Sequence, residues 1–463
     1  MVAPYSFVAR NFLLPIYDFT KGTSRFKSMH VLERTQWLSL KDIQKLQFNN
    51  LRALLKHAYT TVPYYRRMFR ERRLKPDDIK SANDLGKFPV LTKADVRRNF
   101  NDLISRGYPK NALIPYVSGG TGDQIMLFIT KEQRSWELAA EFRAYGWAGY
   151  RFGDKCIVFW GSPIDLTKHQ RLIKRFSSLL ERVIVLDSYV LSDDVLEKYV
   201  LLMRRFKPEI VRGYASSVYM VAKYILEKGF DDYLHPKAVI TSAESLLDVY
   251  RNTIERAFGC EVFDYYGSRE VGAIAAECEE HCGYHISAEN VVLEFVREGE
   301  HVSPGESGEI LITNLRNFGM PFIRYAIGDV GKPTDEVCPC GRGLPIMKSI
   351  EGRVSQFMAV YDEKLGRVIP VSTAAPGLFS GVLMHLPIEQ FRIIQESLNK
   401  VVIKAVKGRG YSEEHTKFLI NHIQRHLGDN IIIEIEFVDY LPPLPSGKRA
   451  VFISNVNPFA PQT

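Results

Sequence analysis

The sequence predicts an α/β protein: a large N-terminal region of parallel strands covered by helices, a β-rich subdomain within that region, and a small mobile α+β C-terminal domain. Three observations predict it. Between about residues 156 and 263, short β-branched or aromatic runs alternate with helical patterns, as in a parallel sheet covered on both faces. Beyond Gly272 the helical patterns stop, and antiparallel-looking strands joined by turn residues take over. After residue 353 the chain reads strand, strand, helix, strand, a unit large enough to fold by itself. The expected boundaries are 1–352 for the N-terminal region, with its β-rich part at about 273–352, and 353–463 for the C-terminal domain.

Composition agrees with this size class. A chain of 463 residues exceeds one small core, and 46% hydrophobic with 25% charged residues excludes a wholly disordered or fibrous chain. The net charge of +8, from 61 basic and 53 acidic residues, favours anionic ligands without requiring nucleic acid, and no nucleic-acid partner is expected. Arg10 interrupts the apolar N-terminus, and no small-residue cleavage pattern follows, unlike a secretory signal. Residues 368–388 are uncharged and nearly long enough to span a bilayer, but Pro370, Pro376, Gly377, Gly381 and Pro387 break any helix there, which leaves a buried or lid-like loop. A cytoplasmic location follows as the expectation, with Cys156, Cys260, Cys278, Cys282, Cys338 and Cys340 reduced.

In chain order, an apolar N-terminal arm precedes Ser39, which caps a helix carrying Ile43, Leu46, Leu51, Leu54 and Leu55 at helical spacing. Pro63 closes that stretch. The densest basic run, Arg66, Arg67, Arg70, Arg72, Arg73 and Lys75, reads as a solvated helix end and leaves peripheral contact with an anionic membrane open. Residues 88–93 lead into Ser118, Gly119, Gly120, Thr121 and Gly122, a loop that can offer N–H groups and two hydroxyls to phosphates, or be a plain glycine-rich turn. Strands at 156–160, 183–186, 210–211 and 238–240 then alternate with helices at 193–206, 217–228 and 246–258.

The apolar run Cys260, Val262, Phe263 feeds Asp264, Tyr265, Tyr266, Gly267, Ser268, Arg269 and Glu270. Strand residues meeting a Tyr-Gly break, with polar groups just beyond, describe a strand end that opens on a crevice. Glu270 is a hard oxygen ligand suited to magnesium, and Arg269 is suited to phosphate oxygens. Strands at 291–296 and 309–313 flank a turn at 304–308, and Asp329 is placed at a further turn. In the C-terminal domain, strands at 391–395, 401–405 and 431–438 and a helix at 413–427 precede a loop bearing Lys448, which by itself reads as a surface lysine.

A second cysteine signal stands apart from the crevice. Cys278, Cys282 and His285, with Cys338 and Cys340, form two short groups of soft thiolates and imidazole that suit a four-coordinate structural zinc, the first group offering more donors than are needed. Buried reduced cysteines beside an exposed histidine are the simpler alternative.

Several stretches in one order carry a family resemblance. Residues 118–122, Thr241-Ser242-Ala243-Glu244, the stretch from Asp264 to Gly272, Arg324 to Asp329, Gly352-Arg353 and Pro445-Ser446-Gly447-Lys448 together resemble the adenylate-forming (AMP-forming) ligases, specifically the phenylacetate-CoA-ligase-like group and its capsular-polysaccharide branch. Trp37-Leu38-Ser39, Val62-Pro63-Tyr64-Tyr65-Arg66 and Phe88-Pro89-Val90-Leu91-Thr92-Lys93 extend the likeness over most of the chain.

The resemblance implies ATP-dependent activation of a carboxylic acid, with magnesium, to an acyl-adenylate, followed by transfer to a thiol acceptor, CoA by family default. An amine or sugar acceptor or adenylyl transfer in cell-surface polysaccharide assembly, and a nucleotide-binding assembly factor without catalysis, are the alternatives. It makes Lys448 the bridge between acyl carboxylate and phosphate, with Glu270 and Arg269 as its catalytic companions. Asp329 becomes the ribose-binding carboxylate, assisted by Arg353, while Ser242, Ala243, Glu244, Asp264, Tyr265, Tyr266, Gly267 and Ser268 are assigned to cofactor binding. Among the zinc donors it selects Cys278, His285, Cys338 and Cys340. The sequence departs from the family at Gly120, at Asp123-Gln124 where Lys-Pro is common, at Arg269 where Thr is common, and at Gln356 near the hinge carboxylate. Monomer and homodimer both stay open.

Overall fold

A computed structural model describes residues 4–118, 125–160, 181–188, 191–230, 234–353, 357–362, 367–372, 383, 386–428, 430–442 and 452–456. Gly119, Gly120, Thr121, Gly122 and Lys448 lie outside the described residues, as do Asp123, Gln124 and Gln356. The chain divides into two compact units: one of residues 1–294, 311–327 and 333–349, the other of residues 295–310, 328–332 and 350–463. The second unit thus also takes in two short stretches from before residue 333, so the division is not the single cut that chain order suggests.

In the first unit Ser39 accepts a hydrogen bond from Asp42 N–H at 3.2 Å and starts the helix Leu40–Thr61, whose Ile43, Leu51, Leu54 and Leu55 are buried. Val62 is extended, and Pro63 takes the first position of the next helix, Pro63–Glu71, where its missing N–H costs nothing. That helix buries Tyr64, Tyr65 and Phe69 and exposes Arg66, Arg67 and Arg70. Arg67 donates to Asp102 at 3.1 Å and Asn99 at 2.9 Å, so the basic run is a solvated helix end tied to its neighbours.

The sheet of this unit is built from short strands in chain order. Strands β1 (Leu113–Val117) and β2 (Met126–Thr130) form an antiparallel hairpin. β3 (Cys156–Phe159), β4 (Val183–Leu186), β5 (Ile210–Tyr214), β6 (Ala238–Ser242), β7 (Val262–Ser268), β8 (Gly272–Glu277) and β9 (Tyr284–Ile286) follow. They lie in the order β9-β8-β7-β6-β5-β3-β4, parallel from β4 to β7 and antiparallel from β7 to β9. The change at Gly272 matches the change of texture read in the sequence.

Helices Asp193–Phe206, Ala215–Lys228 and Asp248–Phe258 make the crossovers, and two of them stop at Gly229 and Gly259, both in the left-handed region with φ of 67° and 62°. Leu196, Val200, Met203, Val218, Val221, Ile225, Ile254 and Phe258 from these helices pack with Ile157, Phe159, Val211, Val239 and Val262 of the sheet. Full burial of each such side chain contributes about 1.5–3 kcal/mol before the entropy of ordering is subtracted. This core fixes where β6 and β7 end.

The second unit has a four-stranded sheet of Ile388–Ser397, Lys400–Lys407, Ile432–Phe437 and Phe452–Ser454 with the helix Glu413–Leu427. Ile393, Val401, Ile403, Leu419, Ile423 and Phe452 form its core. Strands Phe357–Asp362 and Arg367–Ser372 form a separate hairpin, which corrects the reading of a loop from residue 368: the β-branched Val368, Ile369 and Val371 pair as strand, and a two-stranded ribbon tolerates Pro370 because its edges need no donor. Asp329 likewise lies within the strand Tyr325–Pro333 and not at a turn, Gly328 supplying the local left-handed φ of 84°.

Candidate functional site

β7 ends at Ser268 and β8 begins at Gly272, paired across the hairpin, so Arg269, Glu270 and Val271 are a tight tip. Ser268 Oγ accepts from Val271 N–H at 3.2 Å and closes it. Gly272 is required here: its φ is 79°, and a Cβ would collide with Glu137 Cγ. Gly267 is nearly as constrained, since a Cβ there would come within 2.9 Å of the Tyr265 ring. These glycines let the tip settle against the helix Lys131–Trp147.

The first turns of that helix hold the tip in place. Thr130 caps it by accepting from Gln133 N–H at 2.9 Å. Gln133 Nε2 donates both to the Glu270 carbonyl at 3.2 Å and to Glu137 Oε1 at 2.6 Å, and Arg134 Nη1 donates to Glu137 Oε2 at 3.2 Å. Burial pushes the Glu137 carboxyl up to about 7, with Arg134 and Gln133 opposing the shift. Glu270 itself is buried, while Arg269 is exposed with its guanidinium 5.3 Å from the Tyr116 ring on β1.

Tyr116 belongs to the hairpin that carries the glycine-rich stretch. Just beyond it Ser118 is buried, donating its N–H to the Ile125 carbonyl and accepting from Ile125 N–H through Oγ, both at 2.9 Å. Ser118 and Ile125 are therefore held together by two hydrogen bonds. Two stretches about 150 residues apart in sequence meet at Tyr116 and Arg269.

At the neighbouring strand end, Ser242 pairs with Tyr265, and Ala243 adopts φ of 67°, a strained conformation for a residue with a Cβ. Glu244 Oε2 accepts from Ser216 N–H at 2.9 Å, a carboxylate on the N-terminus of the helix Ala215–Lys228. Tyr265 packs on Tyr145 with ring centroids 5.3 Å apart; Tyr145 donates to Glu141 at 2.8 Å, and Arg212 donates to Tyr145 Oη at 2.7 Å and to Glu141 at 3.1 Å. Tyr266 is buried on the opposite face of the strand.

Asp264 does not open on the crevice. Alternation turns it away from Tyr265: it accepts from Thr241 Oγ1 at 2.8 Å and Tyr284 Oη at 2.9 Å, while its N–H donates to Glu277, which is itself paired with Arg251 at 2.7 Å. Burial, and then Glu277, push its carboxyl up to about 7. The cofactor-binding assignment of Asp264 gives way to a scaffold role, because strand register outranks nearness in sequence. Arg324 is also structural, its guanidinium paired with Glu294 at 3.0 and 3.1 Å and donating to the Phe88 carbonyl at 2.5 Å.

In the second unit Arg353 Nε lies 3.4 Å from Asp329 Oδ1, so these two predicted partners do meet.

The cysteine cluster lies in the first unit. Ligand atoms of Cys278, His285, Cys338 and Cys340 all fall within 4.8 Å of one another. Cys278 Sγ is 3.6 Å from Cys338 Sγ, and Cys340 Sγ is 3.3 Å from His285 Nε2. Tetrahedral zinc with bonds of about 2.0–2.3 Å sets its donors roughly 3.3–3.8 Å apart, a spacing that these two separations match. Burial holds His285 down at about 4, leaving the neutral imidazole that binds metals. Cys282 stands apart, its Sγ on the Glu280 carbonyl at 3.3 Å. Arg342, paired with Glu279 at 2.9 Å and within cation–π distance of the Trp37 and Trp147 rings, donates its N–H to Cys340 Sγ at 3.4 Å.

Gln133, Arg134 and Glu137 were not legible as site residues. Their spacing marks one helix face, and nothing in the sequence says that this face meets Glu270.

Residues 376–455 match the CapK C-terminal domain. Protein CapK of Staphylococcus aureus is 24% identical over 90% of this chain and 90% of its own, and a phenylacetate-coenzyme A ligase of Aromatoleum evansii is 29% identical over 71% of this chain and 74% of its own. The chain is a homologue of Protein CapK and of phenylacetate-coenzyme A ligases. Its fold agrees: the crystal structure of 2-hydroxyisobutyryl-CoA ligase in complex with 2-HIB-AMP matches this ligase homologue with a TM-score of 0.71 at 19% identity, covering 91% of this chain and 92% of that one.

Proposed function

We propose that this ligase homologue activates a carboxylic acid with ATP to an acyl-adenylate and passes the acyl group to a thiol, CoA being the acceptor its relatives' names suggest. The observation that carries the reading is the approach of the Arg269 guanidinium to 5.3 Å from the Tyr116 ring, which brings the Arg269–Glu270 tip to the hairpin strand that precedes Ser118. Adenylation brings two anions together, so cations must neutralise and align them. Arg269, exposed at the tip, is the guanidinium for phosphate oxygens. Glu270 would hold magnesium, a hard cation that keeps several of its waters and needs only one or two protein carboxylates; bound there, it would supply charge neutralisation at the phosphates. Gln133 fixes the Glu270 backbone, and Glu137 fixes Gln133.

In the second unit Asp329, held by Arg353, is the acceptor for ribose hydroxyls. Lys448 is the ammonium that bridges carboxylate and phosphate during transfer, a role resting on the family resemblance. The C-terminal domain from residue 353 moves between the two half-reactions, zinc on Cys278, His285, Cys338 and Cys340 is structural, and the protein acts in the cytoplasm. Among the described residues no helix is long and apolar enough to cross a membrane.

The likeness to CapK over 90% of the chain favours a second reading, with an amine or sugar as acceptor in cell-surface polysaccharide assembly. ATP–pyrophosphate exchange across a panel of acids, including phenylacetate and 2-hydroxyisobutyrate, tests activation first. Acid-dependent exchange is expected, and no exchange with any acid would leave the chain a nucleotide-binding assembly factor. Supplying CoA or amines to an active acid then separates the acceptors.

A further inference from the structure

The N-terminal arm runs through the helix Pro4–Val8, a π-helical turn Ala9–Leu13 and the helix Leu14–Lys21. One side is anchored. Ala9 and Leu14 are buried, Ser6 Oγ donates to Asp154 at 2.8 Å, and Asp18 accepts from Arg25 at 3.0 Å and from Phe26 N–H at 2.7 Å. The other side is apolar and bare: Phe7 is 56% exposed, Val8 45%, Phe12 58%, Ile16 61% and Phe19 89%.

Residues 8, 12, 16 and 19 recur at steps of four, four and three, the spacing of one helix face. Phe7 and Phe12 are five apart and would diverge on a regular helix. The π turn between them brings their rings to 6.5 Å between centroids, so both join the stripe. Anchoring from behind holds the stripe outward.

We propose that this face seats the protein on an anionic lipid bilayer. Charge selects the occupant. Residues 4–27 hold Arg10, Lys21, Arg25 and Lys27 against one acid, Asp18; Asp18 is buried on Arg25 and Arg10 pairs with Glu33 at 2.5 Å, which leaves Lys21 and Lys27 as the cations that can meet a partner. Lys21 is exposed two residues beyond Phe19, Lys27 is exposed in the first turn of the following helix Arg25–Thr35, and residues 5–27 show no exposed carboxylate. An aromatic stripe rimmed by lysines lies in the headgroup layer with its cations on lipid phosphates. A second copy of the chain would bring more cations to a face with no exposed acid to receive them.

The test is co-sedimentation of the full-length protein with vesicles of phosphatidylglycerol and phosphatidylcholine against phosphatidylcholine alone. Melting temperature and analytical ultracentrifugation of each variant serve as controls. Binding to the anionic vesicles is expected, reduced at least ~10-fold by Phe12→Ser with Phe19→Ser, and about fivefold by each of Lys21→Gln and Lys27→Gln, with melting temperatures unchanged. Lys21→Arg keeps binding and guards against a misfolded charge variant. The proposal falls if wild type ignores anionic vesicles, if it binds phosphatidylcholine equally well, or if the folded double-Ser variant binds undiminished. It falls also if wild type is a dimer that the double-Ser variant dissolves, since the stripe is then a self-interface.

Discussion

Glu137 sits where a small change reaches the candidate site without touching a ligand. Its folded-state value of about 7 lies above the ordinary 4.5, so between those pH values the folded protein binds more protons than the unfolded chain, and stability declines as pH rises through that window. Glu137→Gln keeps the acceptor for Gln133 and removes the titration. The decline, at roughly 1.4 kcal/mol per unit of pKa difference, should therefore flatten in the variant, as read by melting temperature against pH. An equal slope in both proteins would place the titrating group elsewhere.

Gly272→Ala adds strain at φ of 79° and a collision with Glu137, for a loss of roughly 2–4 kcal/mol. Glu137→Ala in the same chain should restore the collision part only, a coupling that a double-mutant cycle measures. Lys448→Ala is expected to abolish acid-dependent pyrophosphate exchange with the melting temperature nearly unchanged, because the ammonium acts on charge that develops during transfer. Exchange at the wild-type rate would remove Lys448 from the mechanism.

At the scale of elements, the crossover helices and parallel strands were readable because each strand is a continuous apolar run and each helix a periodic one. Residues 193–206 and 413–427 coincide with the helices found. Residues 368–372 were misread because uncharged sequence with prolines suits both a loop and an edge strand, and only a partner strand decides between them. The cysteine cluster shows the same limit: spacing alone offered Cys282 as readily as Cys278, and only the fold turns Cys278 to Cys338 at 3.6 Å while Cys282 turns to the Glu280 carbonyl. Metal analysis of protein purified without chelators should find about one zinc per chain, and Cys338→Ser should lose it together with about 10 °C of melting temperature. A metal-free wild type whose Cys338→Ser variant is equally stable would leave reduced buried cysteines as the answer.

For the whole molecule the expected consequence of one lysine serving one step is rearrangement between steps. Gln356→Pro fixes φ and removes a donor in the expected hinge. Pyrophosphate exchange should persist while transfer to the acceptor slows, with each half-reaction measured separately. Equal loss in both, or in neither, would move the hinge elsewhere.

By itself the sequence determined the α/β class, the crossover pattern, the helix limits at Ser39 and Pro63, and the stretch in which the strand ends fall, because these depend on local periodicity and on residues that forbid alternatives. It also offered the stretches of the candidate site, through their order along the chain. Tertiary structure decided which side chains face one another. Strand register sent Asp264 into the scaffold and Tyr265 toward Tyr145, packing placed Glu137 under Gly272, and a π turn gathered Phe7 and Phe12 onto one bare face. A one-residue shift in a strand reverses every side chain, and contacts between residues more than a hundred positions apart leave no local pattern to read.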